Sequence, residues 1–345
     1  MQKLFYAFMI LSLISCADQG KQPYHADFFV FGTLVGISIW GVSDEKAEQT
    51  TQLVMQELQT MHNDWHAWHP SHVTALNQAF AQGEIATTQD RHLLKMLQLA
   101  QQFSQQSEGL FNPAIGKLIT LWGFHSDEIS TNPPPTDEAI TQLLMLKPTM
   151  ADLEITNEQV LSHNPAVELD LGGFAKGYAV DLTIKRLQEL GIENAIVNAG
   201  GNLKAMGKVD QRPWMIGIRD PNGEDVLAGI MVEGEESFIT SGNYERYLEY
   251  QGVRYSHILD PRTGRSADDF ASVTVIDPNA TLADAASTAL SIAGLQDWYR
   301  IAKQMGIKNV ILVDKAGNVY LNPRMTARVQ FNPKKKPTVV ITGEL

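Results

Sequence analysis

The sequence predicts an α+β fold organised around a mixed β-sheet, and three observations support this prediction. Apolar residues recur at helical spacing in several long stretches, such as residues 93–103. Short apolar runs bounded by turn residues predict hairpins, such as residues 310–313 and 319–321 around the turn at 315–318. Helical and strand patterns do not alternate strictly along the chain, which disfavours a doubly wound dinucleotide-binding fold.

The composition indicates a protein with a large core and no affinity for nucleic acid. The chain has 345 residues, of which 44% are hydrophobic, enough for one or two domains. Its formal net charge of −12 disfavours nucleic-acid binding, which requires a basic face. Cys16 is the only cysteine, so the chain has neither an internal disulfide nor a thiol nucleophile in its main part.

The N-terminus has the pattern of a targeting segment. A basic residue precedes a short apolar run at residues 4–13, and small residues then lead to Cys16. This pattern resembles a bacterial lipoprotein signal. The apolar run is shorter than the roughly 20 residues that a transmembrane helix needs. We expect a signal peptide at residues 1–15, acylation of Cys16, a polar tether at 16–27, and a lipid-anchored protein that faces the periplasm. The alternatives are an uncleaved anchor and a plain secretory signal.

Periodicity and capping residues predict the elements of the first half. Residues 28–40 alternate enough to form a strand. Ser43 is a plausible N-cap for a helix whose apolar stripe runs through residues 54–65, and another helix begins at Thr88. The consecutive prolines within residues 132–136 predict a surface excursion before a short helix.

The second half predicts strands, two helices and a closing hairpin. The alanine-rich stretch 282–293 and the stretch 296–305 predict helices, the second of which ends at Gly306. Residues 323–345, which contain three consecutive lysines, predict a solvated extension after a domain at 28–322. The predicted strands are residues 195–198, 214–219, 226–232, 237–240, 273–276, 310–313 and 319–321.

The stretch LDLGGFAKGYAVD at residues 169–181 predicts a strand, a glycine turn and a helix. Glycines let a backbone approach a ligand closely, the start of the helix favours an anion, and Lys176 adds a positive charge. Such a turn suits a pyrophosphate. An ordinary tight turn with a surface lysine is the alternative, because the pattern is neither a Walker loop nor a GxGxxG fingerprint.

Two further stretches contain residues that could carry chemistry. In ADAAST, helical spacing puts Asp284, Ser287 and Thr288 on one face, where hard oxygens could hold Mg²⁺; a capping aspartate is the alternative. In YSHILDPRTG, His257 lies close to Asp260 at a strand end and could act as a general acid or base, although it could equally order the turn.

These stretches together resemble the ApbE family, the flavin transferases that use FAD as the FMN donor. The resemblance covers roughly residues 28–321 and rests on several motifs in the family's order. It implies a two-part α+β unit with the flavin nucleotide between the parts. The other matching stretches are FNPAIGKLITLWGF at 111–124, VNAGGNLKAMGK at 197–208, ITSGNYERYLEYQGVRYSHILDPRTGR at 239–265 and SVTVIDPNATLADAASTAL at 272–290.

The resemblance also implies roles for individual residues. Asp284, Thr288 and the carbonyl of Gly173 would hold Mg²⁺, while Ser287 stands where the family often has aspartate. His257 would lie in the active site. Three nucleotide contacts depart from the family: Phe31 replaces a methionine, Trp68 a tyrosine and Asn112 an aspartate. The remaining implied nucleotide contacts are Leu110, Phe111, Asp170, Lys176, Thr240, Ser241 and Leu259.

The activity implied by the resemblance is Mg²⁺-dependent transfer of FMN from FAD to a threonine or serine hydroxyl, with release of AMP. The acceptor would be a flavoprotein, a membrane redox subunit of the Na⁺-translocating or electron-transport type. FAD hydrolysis to FMN and AMP is an alternative within enzymes, and a non-catalytic FAD-binding lipoprotein is an alternative from another class. His62, His66 and His69 invite a metal-site interpretation, which lacks an accompanying carboxylate pattern.

Overall fold

The computed structural model describes residues 22–126 and 131–345. The predicted signal peptide, Cys16 and the first half of the predicted tether (residues 16–21) lie outside these residues. Within the described ranges, no helix is both long enough and apolar enough to cross a membrane.

The described residues form helices and strands in roughly alternating groups. The helices are α1 (Asp44–Asp64), α2 (His72–Gln82), α3 (Arg91–Gln106), α4 (Gly116–Leu121), α5 (Asp137–Met145), α6 (Ala175–Glu189), α7 (Ala280–Gln304) and α8 (Pro323–Thr326). The strands are β1 (Tyr24–Val30), β2 (Thr33–Trp40), β3 (Ala86–Thr87), β4 (Leu153–Thr156), β5 (Gln159–Ser162), β6 (Asn194–Ala199), β7 (Asn202–Met206), β8 (Lys208–Val209), β9 (Arg212–Pro213), β10 (Met215–Arg219), β11 (Val226–Met231), β12 (Glu236–Gly242), β13 (Tyr247–Tyr250), β14 (Val253–Ser256), β15 (Phe270–Asp277), β16 (Val310–Asp314), β17 (Val319–Leu321), β18 (Val329–Phe331) and β19 (Val339–Ile341).

The predicted α+β class is confirmed by a nine-stranded central sheet of order β1-β2-β6-β7-β12-β15-β16-β17-β19. Its strands pair antiparallel except β17 and β19, which pair parallel, so the sheet is mixed. Helices α6 and α7 pack on one face. The smaller sheet β10-β11-β18 packs on the other.

Both faces of the central strands are therefore buried, which explains their continuous apolar runs. In β16, Val310 and Leu312 belong to the helix-side core, while Ile311 and Val313 belong to the core shared with the smaller sheet. Successive side chains of β16 therefore point alternately into the two cores, as the two-residue period of a strand requires.

Helices α6 and α7, which carry the candidate site, are joined at the start of α7. Asp181 accepts hydrogen bonds from Ala280 N (3.1 Å), Thr281 N (2.9 Å) and Lys204 Nζ (2.8 Å). The buried Lys204 ammonium also contacts Glu235 and the Pro278 carbonyl. One carboxylate therefore satisfies free amides at the N-terminus of α7 and a buried cation, which fixes the position of α7 against α6.

Three predictions near the chain ends need correction. Residues 28–40 form two strands, β1 and β2, because Phe31 and Gly32 take left-handed backbone angles (φ 55° and 67°) and turn the chain between Val30 and Thr33. Strand β1 begins at Tyr24, inside the predicted tether. The predicted solvated extension instead forms α8, β18 and β19, and the last of these joins the central sheet.

Candidate active site

A cavity of about 1110 Å³ opens beside the central sheet and brings distant parts of the sequence together. Its walls come from the β1–β2 turn, the loop after α1, the loop before α6, β10, and the segment from β12 to residue 259. The predicted site residues that line it are Phe31, Trp68, Leu110, Phe111, Asn112, Asp170, Gly173, Lys176, Thr240, Ser241, His257, Leu259, Asp284 and Thr288. Their placement in one cavity agrees with a common ligand, and their individual roles stay predictions.

The floor of the cavity carries the oxygen atoms predicted to hold Mg²⁺. Asp284 is 4% exposed, and its Oδ2 accepts from Gly177 N at 2.8 Å and from Asn202 Nδ2 at 2.6 Å. Burial raises the pKa of Asp284 to about 7, although Lys176 and these two donors favour the ionised form. Thr288 Oγ1 lies 3.4 Å from the Gly173 carbonyl oxygen, so these two predicted ligands face the same space.

Ser287 has a different position from the one predicted. It is fully buried and does not line the cavity. Its hydroxyl donates to the Asp284 carbonyl within α7 (2.9 Å) and lies 2.7 Å from Ser241 Oγ. Because the single Ser287 proton goes to the carbonyl, Ser241 donates in the second contact. Ser287 therefore holds Ser241, a predicted nucleotide contact.

His257 lines the cavity, but it does not share a hydrogen bond with Asp260 as the sequence suggested. His257 Nδ1 lies 3.0 Å from the Arg246 carbonyl, so Nδ1 donates and Nε2 is left as an acceptor. Burial, with the charge of Lys176 as the next cause, lowers the pKa of His257 to about 4. Asp260 pairs instead with the Arg262 guanidinium at 2.8 Å and orders the following turn.

The depressed pKa of His257 predicts a pH-dependent stability. The folded state keeps the ring neutral down to about pH 4, whereas the unfolded chain binds the proton near its ordinary pKa of about 6.5. Stability is therefore complete above about pH 6.5 and falls as the pH decreases toward 4, by up to about 1.4 kcal/mol per pH unit. We expect His257→Gln to remove this part of the slope in urea unfolding measured across this range. Identical pH profiles for both proteins would contradict the assignment.

Asn112 and the loop after α1 line the cavity and also make hydrogen bonds that hold the nearby backbone in place. Asn112 Nδ2 donates to the Pro148 carbonyl (2.9 Å), and its Oδ1 accepts from Ala114 N (3.1 Å). His66 Nδ1 accepts from the backbone of Trp68 and His69, which folds this loop. Among the described residues, the side chains grouped closely enough for a metal ion are Asp64, His72 and Asp90, so the histidine trio forms no such group. Asp90 itself caps α3.

Several cavity residues were not predicted from the sequence. Tyr244, Glu245 and Arg246 follow β12, and Arg219 ends β10. Glu245 and Arg246 lie within the matching stretch at 239–265, so their charges were a possible signal, while Arg219 comes from a strand that no motif marked. Gly200 and Gly201, inside the matching stretch at 197–208, form a two-residue hairpin turn with positive φ (57° and 93°) that also lines the cavity.

Comparison with known proteins agrees with this geometry. The model of the ApbE family matches residues 31–311. The chain belongs to the ApbE family. It is 42% identical to a Rhodobacter capsulatus FAD:protein FMN transferase over 306 residues, which is 88% of this chain and 58% of that protein. A Klebsiella pneumoniae (strain 342) FAD:protein FMN transferase is 30% identical over 91% of this chain and 95% of its own length.

Solved ApbE structures share the fold. The ApbE protein of Thermotoga maritima superposes with a TM-score of 0.81 at 30% identity, covering 89% of this chain and 99% of that one. The flavin transferase ApbE of Vibrio cholerae gives a TM-score of 0.75 at 26% identity, covering 89% and 99%. The predicted family is thereby confirmed.

Proposed function

We propose that the protein is a FAD:protein FMN transferase. The observation that carries this proposal is that one cavity joins an acidic oxygen cluster, a lysine at a helix start and an aromatic wall. FAD requires all three, because it combines a pyrophosphate with flat apolar rings. The cavity volume of about 1110 Å³ lies at the upper end of the roughly 300–1,000 Å³ of small-molecule pockets, as a dinucleotide the size of FAD requires.

The oxygen cluster fits Mg²⁺. A buried carboxylate, a hydroxyl and the backbone carbonyl that lies 3.4 Å from it are hard ligands, and Mg²⁺ completes its shell with waters and phosphate oxygens. Asp284, Thr288 and the Gly173 carbonyl would hold the ion. When bound, it would neutralise charge on the pyrophosphate.

The chain's own residues supply binding and proton transfer. Lys176, at the start of α6, lies where it can hold phosphate oxygens. The acceptor hydroxyl oxygen bonds to the FMN phosphorus, the bridging P–O bond breaks, and AMP leaves with the electron pair. His257 Nε2 takes the hydroxyl proton. Because the charge of Lys176 contributes to the low pKa of His257, phosphates bound at Lys176 increase the basicity of the ring.

The test is incubation with FAD, Mg²⁺ and a candidate acceptor flavoprotein. Mass spectrometry should find the acceptor heavier by one FMN, linked at a threonine or serine, and one AMP should be released per acceptor. AMP release that is equally fast without acceptor, with no modified acceptor, would support hydrolysis instead. FAD binding without AMP release would support the non-catalytic alternative.

We further propose that the protein is exported and anchored to a bacterial membrane through Cys16, where it would meet a membrane redox subunit as acceptor. The apolar run before Cys16 supports this proposal. Cys16→Ser should release the protein from the membrane fraction or leave it unprocessed. A mature N-terminus other than Cys16 would refute lipidation at this residue.

A further inference from the structure

A hydrogen-bonded series of side chains lies directly behind the cavity wall, centred on His125. His125 Nε2 lies 2.8 Å from Asp170 Oδ2, and His125 Nδ1 lies 2.7 Å from Thr120 Oγ1. Thr120 Oγ1 donates onward to Glu168 Oε1 at 3.3 Å. The side chains of His125 and Asp170 are only 9% and 10% exposed. With both nitrogens held, the imidazole ring has a fixed plane.

The face of this fixed ring supports Trp68. The two rings stack with centroids 5.0 Å apart and planes 22° apart. Trp68 belongs to the irregular loop between α1 and α2, so no helix or strand fixes its orientation. The Arg246 guanidinium also lies 5.6 Å from the Trp68 ring centroid and donates to the Ser126 carbonyl. The orientation of Trp68 thus depends on groups that are themselves held in place.

The His125 ring also fixes the orientation of the Asp170 carboxylate. Asp170 Oδ1 accepts from Gly172 N at 2.7 Å, and Oδ2 accepts from His125. Burial alone would raise the pKa of Asp170, but the hydrogen bond and charge of His125 hold that pKa below its ordinary value. A carboxylate offers about four acceptor sites, so two remain, in fixed directions, for N–H donors of a ligand in the cavity.

We propose that His125 is a positioning residue for the flavin nucleotide, orienting Trp68 and the Asp170 carboxylate together. This inference rests on the proposed function, in which FAD occupies the cavity. His125 does not line the cavity, so its effect on the ligand passes through these two residues. It couples the stacking surface to the hydrogen-bonding carboxylate, although the two lie about a hundred residues apart in sequence.

The experiment compares FAD affinity, transfer kinetics and bound-flavin fluorescence in His125 variants. His125→Ala should weaken FAD binding and raise KM for FAD about tenfold, with kcat changed much less. It should also alter the fluorescence of bound FAD, since stacking on an indole quenches flavin emission. His125→Gln keeps a donor for Asp170 without the ring, and His125→Phe keeps the ring without the donor, so each should recover part of the affinity.

The matched control is His163→Ala, because His163 is 60% exposed and pairs with Glu154 on a distant hairpin. It should leave all three readouts unchanged. Wild-type protein that fails to bind FAD would refute the proposed function itself. If wild type binds FAD and His125→Ala matches its affinity and fluorescence, the positioning role is refuted, even if the variant melts at a lower temperature. Should the alanine variant fail to fold, the glutamine and phenylalanine variants decide: wild-type affinity and fluorescence in both would also refute the role.

Discussion

Asp284→Asn should reduce Mg²⁺-dependent AMP release by at least about a hundredfold. The asparagine matches the shape of the aspartate, and its Oδ1 can accept from Gly177 N and Asn202 Nδ2 as the carboxylate does. It replaces an anionic oxygen with an amide that cannot anchor a divalent cation. Because burial raises the pKa of Asp284 to about 7, the metal-free protein gains little from that charge, so the variant should fold as well as wild type.

The measurement is AMP release at saturating Mg²⁺, together with FAD affinity by calorimetry. FAD binding should largely survive, since Lys176 and the aromatic wall remain. Ser287→Ala is the informative comparison on the same helix, because its hydroxyl contacts Ser241 rather than the cavity. It should cost about tenfold or less through a loosened Ser241. Near wild-type turnover in Asp284→Asn would place the metal site elsewhere.

Local sequence patterns predict structure well where the conformation of a segment depends mainly on its own residues. The predicted break between the helices at 282–293 and 296–305 is present as Gly294, whose φ of 65° and ψ of −172° interrupt α7. By contrast, β19 was missed although its sequence is a short β-branched run (Val339–Ile341), because it follows three lysines in a stretch that predicted a solvated extension. Its place in the sheet comes from parallel pairing with β17, a tertiary contact that no local pattern encodes.

The residues of the candidate site show the same difference between local patterns and tertiary contacts. Asp284 and Thr288 were predictable because helical spacing alone puts them on one face. His125 was not, because its partner Asp170 is 45 residues away and the two meet only when the loop before α6 packs beside α4. The glycine motif was only partly understood from sequence. Gly177 was predicted to belong to a ligand-binding turn, and it instead lies inside α6 against α7.

Gly177→Ala should therefore destabilise the protein by about 3 kcal/mol, although alanine favours a helix more than glycine does. In an open helix the change would gain about 1 kcal/mol. Here the added Cβ would lie 2.4 Å from the Ala280 carbonyl oxygen and 2.7 Å from Asp284 Cβ. The Ala280 backbone cannot move away easily, because Asp181 holds its amide and the next one. The clash should outweigh the propensity gain and force α6 and α7 apart.

That separation should also impair catalysis, since it breaks the 2.8 Å hydrogen bond from Gly177 N to Asp284 and displaces the carboxylate. We expect the urea midpoint and the rate of AMP release to fall together, the latter by about tenfold or more. The control is Gly223→Ala, a turn position where the nearest atom, Lys335 Nζ, would be 3.7 Å from the new Cβ. It should leave both quantities near wild type. A Gly177→Ala protein as stable as wild type would show that the two helices can separate at little cost, and that their close contact does not hold Asp284 in place.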